Sequence, residues 1–189
     1  MQPNLFMNRK HAFLFLSIIG LFTIVYRFLP HLPNFVPVGA MALLSGALLR
    51  KPLLASLLVL SVMLLSDVLL NALMYQTTSL GYFLRTESIG VYLGYMITVL
   101  FGHGLGSAEA KPFRIAGFSL LSALSFWTIS NLFCWPGNPL YAQDLSGLLD
   151  CYYKAIPFLG NVAGDLCFSA LFFFAWRKVQ ISLPEGQRA

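Results

Sequence analysis

The stretch Phe35-Val-Pro-Val-Gly-Ala-Met-Ala-Leu-Leu-Ser-Gly-Ala-Leu-Leu49, closed by Arg50-Lys51-Pro52, decides how the rest of the chain is threaded. Its 15 residues fall short of the roughly 20 that an α-helix needs to cross a hydrocarbon core. If it crosses nonetheless, the following segments alternate in direction from there. If it is a re-entrant half-helix, Arg50 and Lys51 stay on the side where the stretch began, and every later orientation inverts.

Outward from this stretch the chain is apolar almost throughout: 58% of its 189 residues are hydrophobic and 10% are charged. So little charge cannot cover a water-exposed surface, which implies an integral membrane protein. Six apolar runs are candidate spans, at residues 12–29, 35–49, 52–74, 88–105, 113–135 and 156–176, all within one transmembrane domain covering 1–189. The expected fold is an all-α bundle of six transmembrane helices.

Charge arbitrates the threading. With the N-terminus inside, Arg9, Lys10, Arg50, Lys51, Lys111, Arg114, Arg177, Lys178 and Arg188 fall on the cytoplasmic side and Arg27, Arg85 and Lys154 on the outer side. This bias follows the positive-inside rule if the second run crosses and both termini are cytoplasmic. The net charge of +5 is then an orientation signal, with no nucleic-acid partner implied. The expected location is the bacterial cytoplasmic membrane.

Polar side chains inside such runs are costly in lipid and need a partner, a cavity or a ligand. Three runs carry a pair four residues apart: Asp67 and Asn71, Trp127 and Asn131, Asn161 and Asp165. That spacing puts each pair on one helix face. In the six-span threading, Asn71, Asn131 and Asn161 lie about one turn below the outer surface, and Asp67, Trp127 and Asp165 one turn deeper. The two layers suggest a shared outer-half site in which the carboxylates bind a cationic or donor group and the amides orient it. The alternative is that the same residues only join helices to one another.

The outer connections add to that site. Arg27-Phe-Leu-Pro-His-Leu-Pro-Asn-Phe-Val-Pro37 holds three prolines and forms a stiff hairpin flanked by Arg27 and Asn34, either a lid or a tight connection. Trp135, Tyr141, Tyr152 and Tyr153 suit an aromatic belt and, together with Trp127, the stacking of a flat ring. Residues 145–153 read as a short segment lying along the interface. Gly39, Ala42 and Gly46 make a small-residue face for internal packing or for docking a partner membrane protein. Cys134 and Cys151, both near the outer face, would be placed for a disulfide in an oxidising compartment.

No phosphate loop, nucleophile elbow, His-Glu-x-x-His or paired-cysteine motif occurs, so the expectation is a non-enzyme with no cofactor and no metal. The blocks Arg27-x-x-Pro-x-x-Pro-Asn-Phe-x-Pro-Val38, Ala42 to Gly46, Ser66-Asp67, Ser130-Asn131, Trp135, Gly147-Leu-x-x-Cys-Tyr152 and Ala155-Ile-Pro-Phe158 resemble a family of uncharacterised bacterial membrane proteins. That family is similar in predicted fold to the substrate-binding S components of energy-coupling-factor vitamin transporters. The resemblance implies a small-molecule site open to the outside, and a transmembrane coupling protein whose ATPase subunits supply energy. A substrate-capture subunit for a small cationic or heteroaromatic metabolite is the resulting expectation. A structural or assembly protein and a stand-alone proton-coupled carrier are the alternatives.

Overall fold

The computed structural model describes residues 4–49, 51–74 and 85–182, with only the backbone of residues 4–9 and 158. Arg50 and Arg188, two of the residues in the charge count, lie outside them. Among the described residues the fold is all-α: α1 (Asn4–Tyr26), α2 (Val38–Leu48), α3 (Pro52–Leu73), α4 (Thr86–Leu105), α5 (Pro112–Cys134), α6 (Leu145–Ala155) and α7 (Gly160–Ser182). A 3₁₀ turn, Ile156–Phe158, joins the last two.

Prolines and glycines punctuate these helices where backbone chemistry allows. Pro52 and Pro112 open α3 and α5, where an amide donor would have no intrahelical partner. α4 ends at Gly106, whose φ of 80° is the left-handed conformation that terminates a helix. Between α6 and α7 the 3₁₀ turn contains Pro157, which lacks an N–H, and the two helices meet at 50°.

α3, α4 and α5 are long and apolar enough to cross a membrane, and the bent pair α6 and α7 passes the same test as a unit. Their outward faces carry Leu53, Leu57, Leu64 and Val68 on α3, Leu121 and Leu124 on α5, and Leu171 and Phe174 on α7, all exposed. α1 likewise exposes Leu14, Ile18, Leu21 and Val25. Apolar surface on so many sides is covered by lipid in a membrane-embedded protein.

The decisive stretch behaves differently from a lipid-facing span. α2 has 11 residues and is about 16 Å long, roughly half a hydrocarbon core. Every residue from Val38 to Gly46 is buried, because α1, α3, α4, α5 and α7 all pack against it. Its all-round apolarity therefore reflects contact with protein on every side. The apolar run 35–49 thus holds an 11-residue helix enclosed by its neighbours.

Direction follows from the contacts. Arg27, after α1, meets Asp67 near the end of α3, and the start of α7 lies against the 27–37 hairpin at Pro33. At the opposite end Arg177 donates to the Ala110 carbonyl, and Phe15 packs against Trp176 with ring centroids 5.2 Å apart. The first is here called the loop end and the second the basic end. α2 begins at the loop end, with Gly39 against Asp165, and runs toward the later half of α4; α3 returns to the loop end.

Glycines set the closest helix approaches. A Cβ on Gly46 would overlap the Val99 carbonyl oxygen, and one on Gly102 would overlap that of Leu43, so α2 and α4 touch backbone to backbone. Gly90 and Gly94 make room on α4 for Phe133 and Phe126 of α5. Of the two readings of the small-residue face, internal packing or partner docking, the burial of Gly39, Ala42 and Gly46 within the chain supports the first.

Candidate functional site

The hairpin that follows α1 builds one wall of a cavity at the loop end. Phe28 and Leu29 donate backbone bonds to Val25 and Tyr26, carrying the chain out of the helix in two tight turns. Asn34 adopts φ 58°, a left-handed conformation that asparagine tolerates better than most residues, and Phe35 closes a turn onto the Leu32 carbonyl. A Cβ on Gly160 would overlap the Pro33 carbonyl oxygen, so the hairpin rests directly on the start of α7. The Tyr26 and His31 rings stack at 5.4 Å. These contacts make the hairpin an anchored wall.

Arg27 points from this wall toward α3. Its Nη2 stands 2.6 Å from Asp67 Oδ1, with the two side chains 18% and 13% exposed. Its Nη1 donates to Ser66 Oγ and approaches Met63 Sδ at 3.8 Å. Met63, Ser66 and Asp67 share one face of α3 through their three- and four-residue spacing. From α4, the Tyr92 hydroxyl donates to Asp67 Oδ2 at 3.1 Å. Asp67 is thereby held by a guanidinium and a phenol, and the pair ties the end of α1 to α3 and α4.

The cavity has a volume of about 470 Å³. Its inner surface is apolar and aromatic: Val38, Met63, Leu70, Val91, Tyr95 and Phe126. Tyr95 and Phe126 lie 4.5 Å apart between centroids, with their ring planes tilted by 31°, and form an aromatic step. Arg27, His31 and Asn34 supply the polar rim, and Met74 completes it from the end of α3. Tyr95, 6% exposed, also interacts electrostatically with Asp165, Arg27 and Asp67.

Asp165 has another setting. It is 5% exposed, and it accepts a hydrogen bond from the Ala40 backbone N–H. Gly39 leaves the space its carboxylate occupies, since a Cβ there would overlap both oxygens. The carboxylate therefore caps the N-terminus of α2, where backbone donors lack intrahelical partners and the helix dipole favours negative charge. Asp67 and Asp165 are thus engaged separately, one by Arg27 and one by α2.

Two of the amides bond their own helices, while Asn161 and the outer aromatics join neighbouring elements. Asn71 and Asn131 each donate from Nδ2 to the carbonyl four residues earlier, Asp67 at 2.8 Å and Trp127 at 2.7 Å. Asn161 Nδ2 donates across to the Ala123 carbonyl of α5 at 2.9 Å. Trp127 Nε1 donates to the Ala155 carbonyl at 3.2 Å, its ring packs on Tyr152 at 5.2 Å, and the Tyr152 hydroxyl donates to the Thr128 carbonyl at 2.7 Å. Trp135 Nε1 bonds the Ala142 carbonyl at 2.8 Å, and Lys154 lies 5.3 Å from the centre of the Tyr141 ring. This latch fastens α6 to α5 and to the loop between them.

Of the expected ligand-binding residues, Arg27 and Asn34 line the cavity and Asp67 stands behind Arg27. Asn71, Trp127, Asn131, Asn161, Asp165, Trp135, Tyr141 and Tyr152 are not among its lining residues, so this cavity does not bring the two layers together. Cys134 and Cys151 are unbonded, correcting the expected disulfide: Cys134 Sγ receives Asn138 Nδ2 at 3.7 Å, and Cys151 Sγ points to the Asn131 carbonyl at 3.7 Å. Sequence reasoning missed Tyr92, Tyr95 and Phe126. The three-residue spacing of Tyr92 and Tyr95 on α4 was the signal for the first two.

A family of unknown function (DUF6580) matches residues 7–185, nearly the whole chain, and the chain belongs to that family. No curated protein and no solved structure matches it.

Proposed function

We propose that this member of a family of unknown function is a substrate-capture subunit of a bacterial importer, taking a small molecule from the outer side into the cavity beside Arg27. The observation that supports the reading best is that cavity of about 470 Å³, within the range of small-molecule sites and apolar inside with a few convergent polar groups at the rim. The proposal includes six crossings, with α2 as the short one, both termini cytoplasmic, and the loop end facing out of the cytoplasmic membrane. The charge asymmetry of the sequence supports this orientation. Likeness to S components of energy-coupling-factor transporters belongs to the same proposal, as does a separate coupling protein with ATPase subunits; sequence motifs alone support it.

Thermal stability of the purified protein in detergent, against vitamins, nucleobases and small acids and amines, tests the reading. A compound at a hundredfold over its Kd raises stability by about 2.7 kcal/mol. Saturable stabilisation by one chemical class is expected. The absence of stabilisation by every compound would remove the proposal.

One set of contacts favours a second reading, a structural or assembly protein. Asp165, Asn161 and Trp127 each bond backbone groups of a neighbouring element, as interhelical glue would. That reading predicts unfolding on their replacement and no ligand response in the intact protein.

A further inference from the structure

We infer that the cavity recognises a small carboxylic acid with an apolar or flat aromatic body, through the Arg27 guanidinium. This inference names the substrate class of the proposed capture site and rests on that reading. Its basis is the polarity of one ion pair. Arg27 lines the cavity and Asp67 does not, so the pair presents its donor end to any occupant.

A guanidinium carries five N–H donors in a rigid plane. Among the described residues, Asp67, Ser66 and Met63 engage Nη2 and Nη1. Nε–H and the second Nη2–H make no hydrogen bond among them. Two N–H groups in one plane match the two oxygens of a carboxylate, the geometry for which arginine is suited. Asp67 meanwhile fixes the guanidinium, so little side-chain freedom is lost on binding.

The rest of the cavity selects against a cation. Among the described residues Arg27 is the one lysine or arginine lining it, and Asp67 is already compensated by that arginine. An ammonium group would meet Arg27 without an unpaired anion to offset it. The Tyr95 and Phe126 step and the Val38 and Leu70 side chains suit an apolar body. The expectation of a cationic ligand, drawn from Asp67 and Asp165, is thereby reversed: both carboxylates have partners inside the protein.

The test is binding of matched triples to the full chain in detergent: 3-phenylpropanoate, indole-3-acetate and nicotinate, each with its primary amide and the corresponding primary amine. Calorimetry and thermal shift are both read. The best acid is expected to bind at least roughly tenfold tighter than its amide, with the amine weaker still. Arg27→Gln alone would leave Asp67 buried and unpaired, so the informative variant is the neutral exchange Arg27→Gln with Asp67→Asn. In that double variant the acid and its amide should bind within about threefold of each other. Amines binding best in the wild type, or an acid preference that survives the double variant, would overturn the carboxylate assignment and leave capture standing. No binding by any of the nine compounds would overturn both.

Discussion

Gly46 of α2 and Gly102 of α4 meet backbone to backbone: a Cβ built on Gly102 would overlap the Leu43 carbonyl oxygen and lie 3.1 Å from the Gly46 Cα. The obstruction on both sides is main chain, which cannot rotate away. Gly102→Ala or Gly46→Ala should therefore destabilise by about 3 kcal/mol or more. Gly117→Ala, whose Cβ would meet nothing within 4 Å, should be neutral or stabilising by up to about 1 kcal/mol. Thermal unfolding in one detergent compares them. Equal effects at Gly102 and Gly117 would refute the close approach.

Arg27 and Asp67 are each largely shielded from solvent, so removing one partner should be costlier than removing both. Arg27→Gln and Asp67→Asn are each expected to destabilise by about 3 kcal/mol. The double variant should recover at least half of the summed loss. A double-mutant cycle measures this coupling, and simple additivity would mean the pair is not formed.

The Asp165 carboxylate fills the space that Gly39 leaves at the start of α2. Gly39→Ala should destabilise strongly in the wild type and much less in an Asp165→Ala background, where the overlap is gone. Asp165→Ala alone should lose about 1 to 2 kcal/mol from the uncapped helix. The sign of the interaction is the diagnostic, read from unfolding midpoints of the four proteins.

Asp144 caps α6, accepting the Ser146 hydroxyl at 2.7 Å and the Gly147 N–H at 2.9 Å. These bonds, the hydroxyl first, favour the ionised carboxyl and hold its pKa below the ordinary value. Because the folded value is lowered, the contribution of the cap is complete above the usual carboxylate range and is lost as pH falls through the lowered value. Hydrogen exchange at the Gly147 amide should be slow at neutral pH and accelerate only in acid, beyond the intrinsic pH trend. Asp144→Asn should flatten that extra dependence.

Helix limits were legible wherever backbone chemistry marks them. Pro52, Pro112 and Gly106 put the ends of α3, α4 and α5 within one or two residues of the apolar runs. The direction of side chains around each helix was not legible. In a soluble bundle the polar face shows which side is out, but here lipid and protein contacts are equally apolar and rotation about the axis leaves no pattern. Asp67 and Asp165 were accordingly assigned to one site on depth alone, whereas Asp165 turns to α2. The amide spacing was correctly noticed, but a four-residue interval also lets an asparagine bond its own helix, as Asn71 and Asn131 do. Arg27 was seen as a hairpin residue, and its reach to α3 depends on a turn that sequence does not describe.

Enclosure of α2 on every side constrains how the protein is made. A segment about 16 Å long, preceded by a hairpin whose prolines and turns leave carbonyls outside any helix, cannot settle in bare lipid. α3, α4 and α5 are long and apolar enough to be threaded singly during synthesis, but α2 is enclosed only once α4 and α7 flank it. α7 is the last of the described helices, so α2 is seated only after α7 has been made. A chain stopped before Gly160 would lack both the Asp165 cap and the seat for the hairpin, and would be a substrate for membrane quality control.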